Sequence, residues 1–261
     1  MTWIIGHILA ACIGISLGLI GGGGSILAAP VLIYVMQIPA KSAFAMTLVI
    51  VGAVSLVGVI PHWRQKNVNL RTAALFSPTA MLGAYLGARV ASLPIVTPNI
   101  QLICFGIMML IASISMIRKS SKKLDKFDKL GEVKYEDKKH SDRYQWLFIA
   151  VEGLGVGMLT GFVGIGGGFL VIPALVLLGN TPMKEAIGTS LIILALKAVT
   201  GFAGYFGHVE IYWNLLISFS AVASVGILLG AYLTKFIQAK DLEKGFGYFV
   251  LAVAIFILIK R

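Results

Sequence analysis

Eight stretches of about 20 apolar residues, at roughly 3–20, 40–60, 71–93, 98–117, 145–162, 183–204, 211–234 and 241–259, run through this chain of 261 residues. A helix of about 20 apolar residues is what the hydrocarbon core of a bilayer asks of a spanning segment. Charge is concentrated elsewhere: ten of the 22 basic and six of the 11 acidic residues lie between Arg118 and Arg143. What remains is too sparse to keep a 58% apolar chain in water. The expected fold is therefore an all-α polytopic membrane protein, with about eight transmembrane helices in a lipid bilayer. The net charge of +11 belongs mainly to one loop, which argues against a nucleic-acid partner. The two cysteines fall inside apolar spans and suggest neither a disulfide framework nor a metal cluster.

Shifted by 143 residues, the chain repeats itself. GLIGGGGSILAAP (Gly18 to Pro30) matches GFVGIGGGFLVIP (Gly161 to Pro173), and without a gap Pro39, Lys41 and Ala43 fall on Pro182, Lys184 and Ala186. Further on, Gly58 falls on Gly201, Phe76 and Ser77 on Phe219 and Ser220, and Gly83, Gly87 and Ala88 on Gly226, Gly230 and Ala231. The chain divides into a first transmembrane repeat (1–117), a charged linker expected to be cytoplasmic (118–144) and a second repeat (145–261). Duplicated halves with an interrupted segment near the start of each point to transport.

Between each glycine run and the next proline lies only about a dozen apolar residues, 26–37 and 169–179. At about 1.5 Å per residue these are half-helices, short of a core about 30 Å thick. If each returns to the side it came from, the halves are parallel; if each completes a crossing, they are inverted. Basic residues favour inversion, because short cytoplasmic loops collect Lys and Arg. Loop 61–71 carries Arg64, Lys66 and Arg71 while its mate 204–214 carries none, and the bias swaps at 92–101 against Lys235, Lys240 and Lys244. Terminal Lys260 and Arg261 run against this pattern.

The glycine runs are the strongest local signal. Gly22, Gly23, Gly24 and Ser25, and Gly166, Gly167 and Gly168, each open a half-helix, whose unpaired N–H groups and positive dipole end favour anions. Two such starts facing one another would cradle a small anionic solute without a charged side chain. Close helix packing is the other reading, and the one preferred for the GxxxG pairs Gly83/Gly87 and Gly226/Gly230. Thr47, Thr189 and Ser190 lie about two turns past Pro39 and Pro182 and could line the same cavity or bond their own helix. Glu152 and Lys197 sit inside apolar spans and are candidates for a proton or charge relay. Lys41 and Lys184, just past the two prolines, could attract anions. His62 and His208 read as solvated loop histidines, and Trp3, Trp63, Trp146 and Trp213 as an interfacial belt. No phosphate-binding loop, zinc-protease motif, nucleophile elbow or acidic metal cluster is present, so an enzyme, a cofactor and a metal are not expected.

GLIGGGGSILAAPVL and GFVGIGGGFLVIPALVLLGNTPMKEAIGTSL resemble the two signature segments of the sulfite exporter TauE/SafE family of membrane permeases. The likeness covers nearly the whole chain. It implies a multi-pass protein of the cell's inner (plasma) membrane that moves sulfur-containing anions such as sulfite, sulfonates or sulfoacetate. Ser25 stands where the second half has Gly168, and Met46-Thr47 where it has Thr189-Ser190, so the two half-sites are unequal. The expected function is a secondary transporter of such an oxyanion, with a homo-oligomer left open. The alternatives are a cation or neutral-solute permease using Glu152, and a non-transporting subunit docking a partner through 118–144.

Overall fold

The computed structural model describes residues 2–93, 95–129, 142–163, 168–178 and 181–259, which form helices and their connections with no strand among them. Eight long helices are present: α1 (Thr2–Ile20), α3 (Ala40–Arg64), α4 (Leu70–Ala91), α5 (Pro98–Lys129), α6 (Asp142–Val163), α8 (Met183–Tyr205), α9 (Trp213–Leu233) and α10 (Ala239–Ile259). Two short ones, α2 (21–35) and α7 (168–178), follow the glycine runs. All eight apolar stretches thus fall on long helices. By length and composition, five segments are suited to cross a membrane: α1, α3, Asn99–Arg118 within α5, α8, and Trp213–Phe236.

The short helices are irregular for local reasons. Segment α2 opens as a 3₁₀ turn over Gly21–Leu27, is α-helical over Ala28–Pro30 and widens to a π turn over Val31–Val35. Likewise, α7 is α-helical over Gly168–Pro173 and π over Ala174–Leu178. In both, the widening follows the repeat-equivalent prolines, Pro30 and Pro173. Proline offers no N–H and its ring crowds the carbonyl one turn back, so the ladder relaxes beside it.

The chain reverses at Gly21, whose φ of +62° lies in the left-handed region that glycine adopts readily. Helix α2 then runs back along α1, with Gly24 against Leu17 and Met36 against Gly6.

Packing between the halves fixes the helix directions. A Cβ on Gly14 or Gly18 of α1 would run into the Ala223 or Ile227 carbonyl of α9, and one on Gly226 or Gly230 into that of Ala11 or Ile15. The same four contacts recur between the repeat mates, at the offset of 143: Gly157 and Gly161 of α6 against Ala80 and Ala84 of α4, and Gly83 and Gly87 against Leu154 and Met158. Both pairs run parallel. Their backbones approach closely because each surface offers a row of small residues, and both GxxxG motifs serve packing. Repeat mates α3 and α8 cross the other way, with Gly58 beside Leu191 and Gly201 beside Leu48. Register therefore falls on one helix as it rises on the other: α3 and α8 are antiparallel.

Outward faces are apolar and the interior holds polar groups. Ile4, Ile8, Leu56, Ile60, Val199, Ile217 and Val225 are each more than half exposed, whereas Ser25, Thr47, Ser55, His62, Gln101, Thr189 and Ser190 are fully buried. Exposed apolar surface this extensive requires lipid around it. Trp3, Trp63 and Trp213, about half exposed, sit at helix ends.

Candidate functional site

The starts of α2 and α7 meet in the interior. Gly22 packs backbone to backbone on Gly168, and a Cβ on either would strike the other's main chain. The first turns of α8 lie beneath: a Cβ on Gly21 would sit 2.9 Å from Ile187 Cα and Ser190 Oγ. The Gly22 N–H donates to Ser190 Oγ at 3.2 Å, and the Ser190 hydroxyl donates in turn to the Ile187 carbonyl at 2.7 Å. Ser25 Oγ closes back on the Gly22 carbonyl at 2.7 Å. Four of the expected site residues, Gly22, Ser25, Gly168 and Ser190, are thus brought together by both halves. Gly23 continues the 3₁₀ turn, and Gly24 faces α1 rather than α7. Gly166 and Gly167 lie outside the described residues.

Interrupting a helix inside a membrane leaves carbonyls that neither water nor lipid can satisfy. Here side chains do it. At the end of α1, the Gly18 carbonyl accepts from His62 Nε2 at 3.1 Å and from Thr234 Oγ1 at 3.0 Å. At the end of α6, the Gly161 and Phe162 carbonyls each lie 3.2 Å from the Tyr205 hydroxyl, and Gln101 Nε2 donates to Phe162 at 2.7 Å. His62 and Tyr205 are separated by the repeat offset and serve equivalent carbonyls. His62 is therefore not a solvated loop residue: it occupies the last turn of α3, fully buried. His208 is exposed as expected, 3.0 Å from Arg89 Nη1.

The remaining hydroxyls face other tasks. Thr47 donates to the Ala43 carbonyl of its own helix at 2.7 Å. Thr189 Oγ1 accepts the Asn69 N–H at 2.9 Å, while Asn69 Nδ2 donates to Glu185 Oε1 at 2.6 Å. Together these pin the α3–α4 connection to the start of α8. The equivalent place in the other half is filled by Ala45, Leu48, Val209 and Ile211 against Tyr205 and Ala88.

The family model described as "Sulfite exporter TauE/SafE" matches residues 7–257. The chain belongs to this family. Among the relatives of this TauE/SafE protein, a "Probable membrane transporter protein" of Xylella fastidiosa (strain 9a5c) is 32% identical over 254 residues, spanning 94% of this chain and 91% of that one. The "Probable membrane transporter protein YunE" of Bacillus subtilis (strain 168) is 27% identical over 260 residues, covering 93% and 92%. One from Haemophilus influenzae, also named a probable membrane transporter protein, is 23% identical over 277 residues, covering 97% of each. No solved structure matches the chain. The protein is a multi-pass membrane transporter of the TauE/SafE family and not an enzyme.

The candidate charged residues of this TauE/SafE protein, Glu152, Lys197, Lys41 and Lys184, are dispersed. Glu152 is half-buried on α6 with Oε1 buried and unpartnered. Lys197 is 1% exposed and donates to Thr160 Oγ1 at 3.1 Å, so the structure does not bring Glu152 and Lys197 together as a pair. Lys41 and Lys184, each half-buried, stand in the first turns of α3 and α8. These helices are antiparallel, which sets the two lysines at opposite ends of the bundle. Sequence reasoning missed the carbonyl-bonding residues Tyr205 and Gln101 and the Asn69–Glu185 contact, and read His62 as a solvated loop residue. One signal was available: the offset aligns His62 with Tyr205, two polar residues at one register of an apolar helix.

Proposed function

We propose that this protein is a secondary transporter of small sulfur-containing oxyanions, of the sulfite, sulfonate or sulfoacetate type, in the cell's inner membrane. The halves are inverted, each crossing the membrane five times with the short helix counted, and the charged linker 118–144, into which α5 extends, is cytoplasmic. Antiparallel repeat mates α3 and α8 support this, as does the reach of α2 from the end of α1 back to Gly6 near its start, which makes α2 a crossing of its own. The same directions gather the basic ends of α3, α5 and α9 on one side, as the Gln65 Nε2 bond to the Ala231 carbonyl at 3.1 Å illustrates. Short cytoplasmic loops carry that bias.

The observation that carries the functional reading is the meeting of Gly22 with Gly168, with a serine hydroxyl on the Gly22 amide. Ser190 Oγ holds that N–H in the direction an oxyanion oxygen would take. Backbone amides of Gly22, Gly23, Gly166, Gly167 and Gly168 replace the anion's water, and the hydroxyls of Ser25 and Ser190 orient it, while those of Thr47 and Thr189 are engaged with Ala43 and Asn69. Since Gly22 and Gly168 touch, one half must rock against the other to admit the solute, exposing the junction alternately to the two sides. Lys41 and Lys184, one at each end, draw anions to the two mouths.

Uptake of labelled sulfite, taurine and sulfoacetate into liposomes bearing the purified protein tests this. Saturable uptake of at least one, lost in Gly22→Ala, is expected; uptake that survives Gly22→Ala but disappears in Glu152→Gln would move the site to Glu152 and a different solute. Single cysteines at Asn67 and His208 test the topology: inversion has them labelled from opposite faces, and labelling from one face overturns it.

A further inference from the structure

Lys197 is the charge this mechanism has not used. Its side chain is 1% exposed, and its one hydrogen-bond partner among the described residues is the neutral Thr160 hydroxyl, which is equally buried and bonded to the Gly157 carbonyl. Two of the three ammonium donors are left over. No carboxylate among the described residues forms an ion pair with it; Glu152 lies eight residues before Thr160 on α6, about 12 Å along the axis. A cation excluded from water and lacking an anion is costly in a bilayer and marks a function.

Its position shows which function. Lys197 follows Ser190 by seven residues on α8, two turns along the same helix face and about 10 Å away. Thr160 stands one turn before the second glycine run. Lys197 is thus on the same face of α8 as the hydroxyl that holds the Gly22 amide, and its ammonium is held by α6, the helix that precedes α7 in the chain. At the equivalent places in the first half stand Val54 and Leu17, both fully buried. Packing at this register is therefore met by two apolar side chains and does not require the polar pair.

We infer that Lys197, as the ammonium, is the counter-charge for the transported anion, making the transporter select charged over neutral solutes of one shape. The inference rests on the oxyanion reading above. A unit charge about 10 Å away at an effective dielectric of about 20 changes anion affinity about 15-fold. Thr160 positions the ammonium, and the second half supplies the charge for both.

The test compares uptake of labelled methanesulfonate by the wild type, Lys197→Met and Lys197→Gln in liposomes, with dimethyl sulfone as a neutral competitor of similar shape. Expected results are an anion KM raised about 15-fold in both variants and competition by the sulfone appearing only in them. The detergent melting temperature of Lys197→Met should be unchanged or higher, since an apolar side chain of similar volume replaces a buried charge without loss. Wild-type KM and no sulfone competition in the variants overturn the role of Lys197 alone. So does a fall in melting temperature that parallels lost uptake with no change in charge selectivity, which is the mark of a structural lysine. A wild type that takes up no oxyanion at all overturns the oxyanion reading and Lys197 with it.

Discussion

Where helix packs on helix, the two halves of this transporter are near copies: Gly14 and Gly18 meet Ala223 and Ile227 as Gly157 and Gly161 meet Ala80 and Ala84. Where polar groups are buried, the halves part. Val54 and Leu17 correspond to Lys197 and Thr160, His62 to Tyr205, and Thr47, bonded to its own helix, to Ser190, bonded to the other half's glycine run. The packing rows must stay small for the backbones to touch, so duplication preserves them. Interior polar residues face no such steric demand, and each half is free to differ. What is symmetric in this molecule holds it together, and what is asymmetric is where direction and selectivity can reside.

Substitutions made in pairs across the repeat probe that contrast. The greatest effect is expected from Gly18→Leu and Gly161→Leu, which both drive a side chain into a backbone carbonyl that cannot yield. Each should cost upwards of about 3 kcal/mol and leave little folded protein by size-exclusion chromatography. A large inequality between them would break the symmetry of the packing rows.

Removing the carbonyl partners comes next. His62→Leu should cost about 1–3 kcal/mol through weaker satisfaction of a buried carbonyl, read as a lower melting temperature. Tyr205→Phe should cost about as much, because a second donor remains in each half, Thr234 on Gly18 and Gln101 on Phe162. Ser190→Ala removes, besides the bond to its own helix, the bond to the Gly22 amide, worth about 1 kcal/mol, and should raise the KM for the transported anion about fivefold, whereas Thr47→Val should leave it within about twofold. Equal effects at these two mates would place the solute symmetrically between the halves. At the exposed Arg89–His208 contact, His208→Ala should change stability by less than about 0.5 kcal/mol.

Much of this was legible in one dimension. The apolar stretches gave the eight long helices, and the prolines after each glycine run gave the two short ones, because helix length and proline's missing donor are local matters. The offset of 143 residues between matching segments identified the GxxxG rows and Gly22, Gly168 and Ser190 as belonging to one design. His62 misled, since Pro61 before it and Trp63 and Arg64 after it read as a span end. In fact α3 continues through Pro61 and carries His62 inward to the Gly18 carbonyl, a contact 44 residues distant in the chain. Thr189 was expected beside Ser190 in the cavity, but neighbouring helix positions point about 100° apart, and its hydroxyl is held by Asn69.

Periodicity, duplication and the placement of breakers are properties of neighbouring residues, and from these the sequence alone determined a membrane-embedded, two-fold repeated helical transporter. Tertiary structure decided that α3 and α8 run antiparallel, which carbonyls are satisfied by which side chains, and that Lys197 has a hydroxyl rather than a carboxylate beside it. Those outcomes depend on segments far apart in the chain meeting at close range, and a residue's own neighbours carry no record of what it will meet.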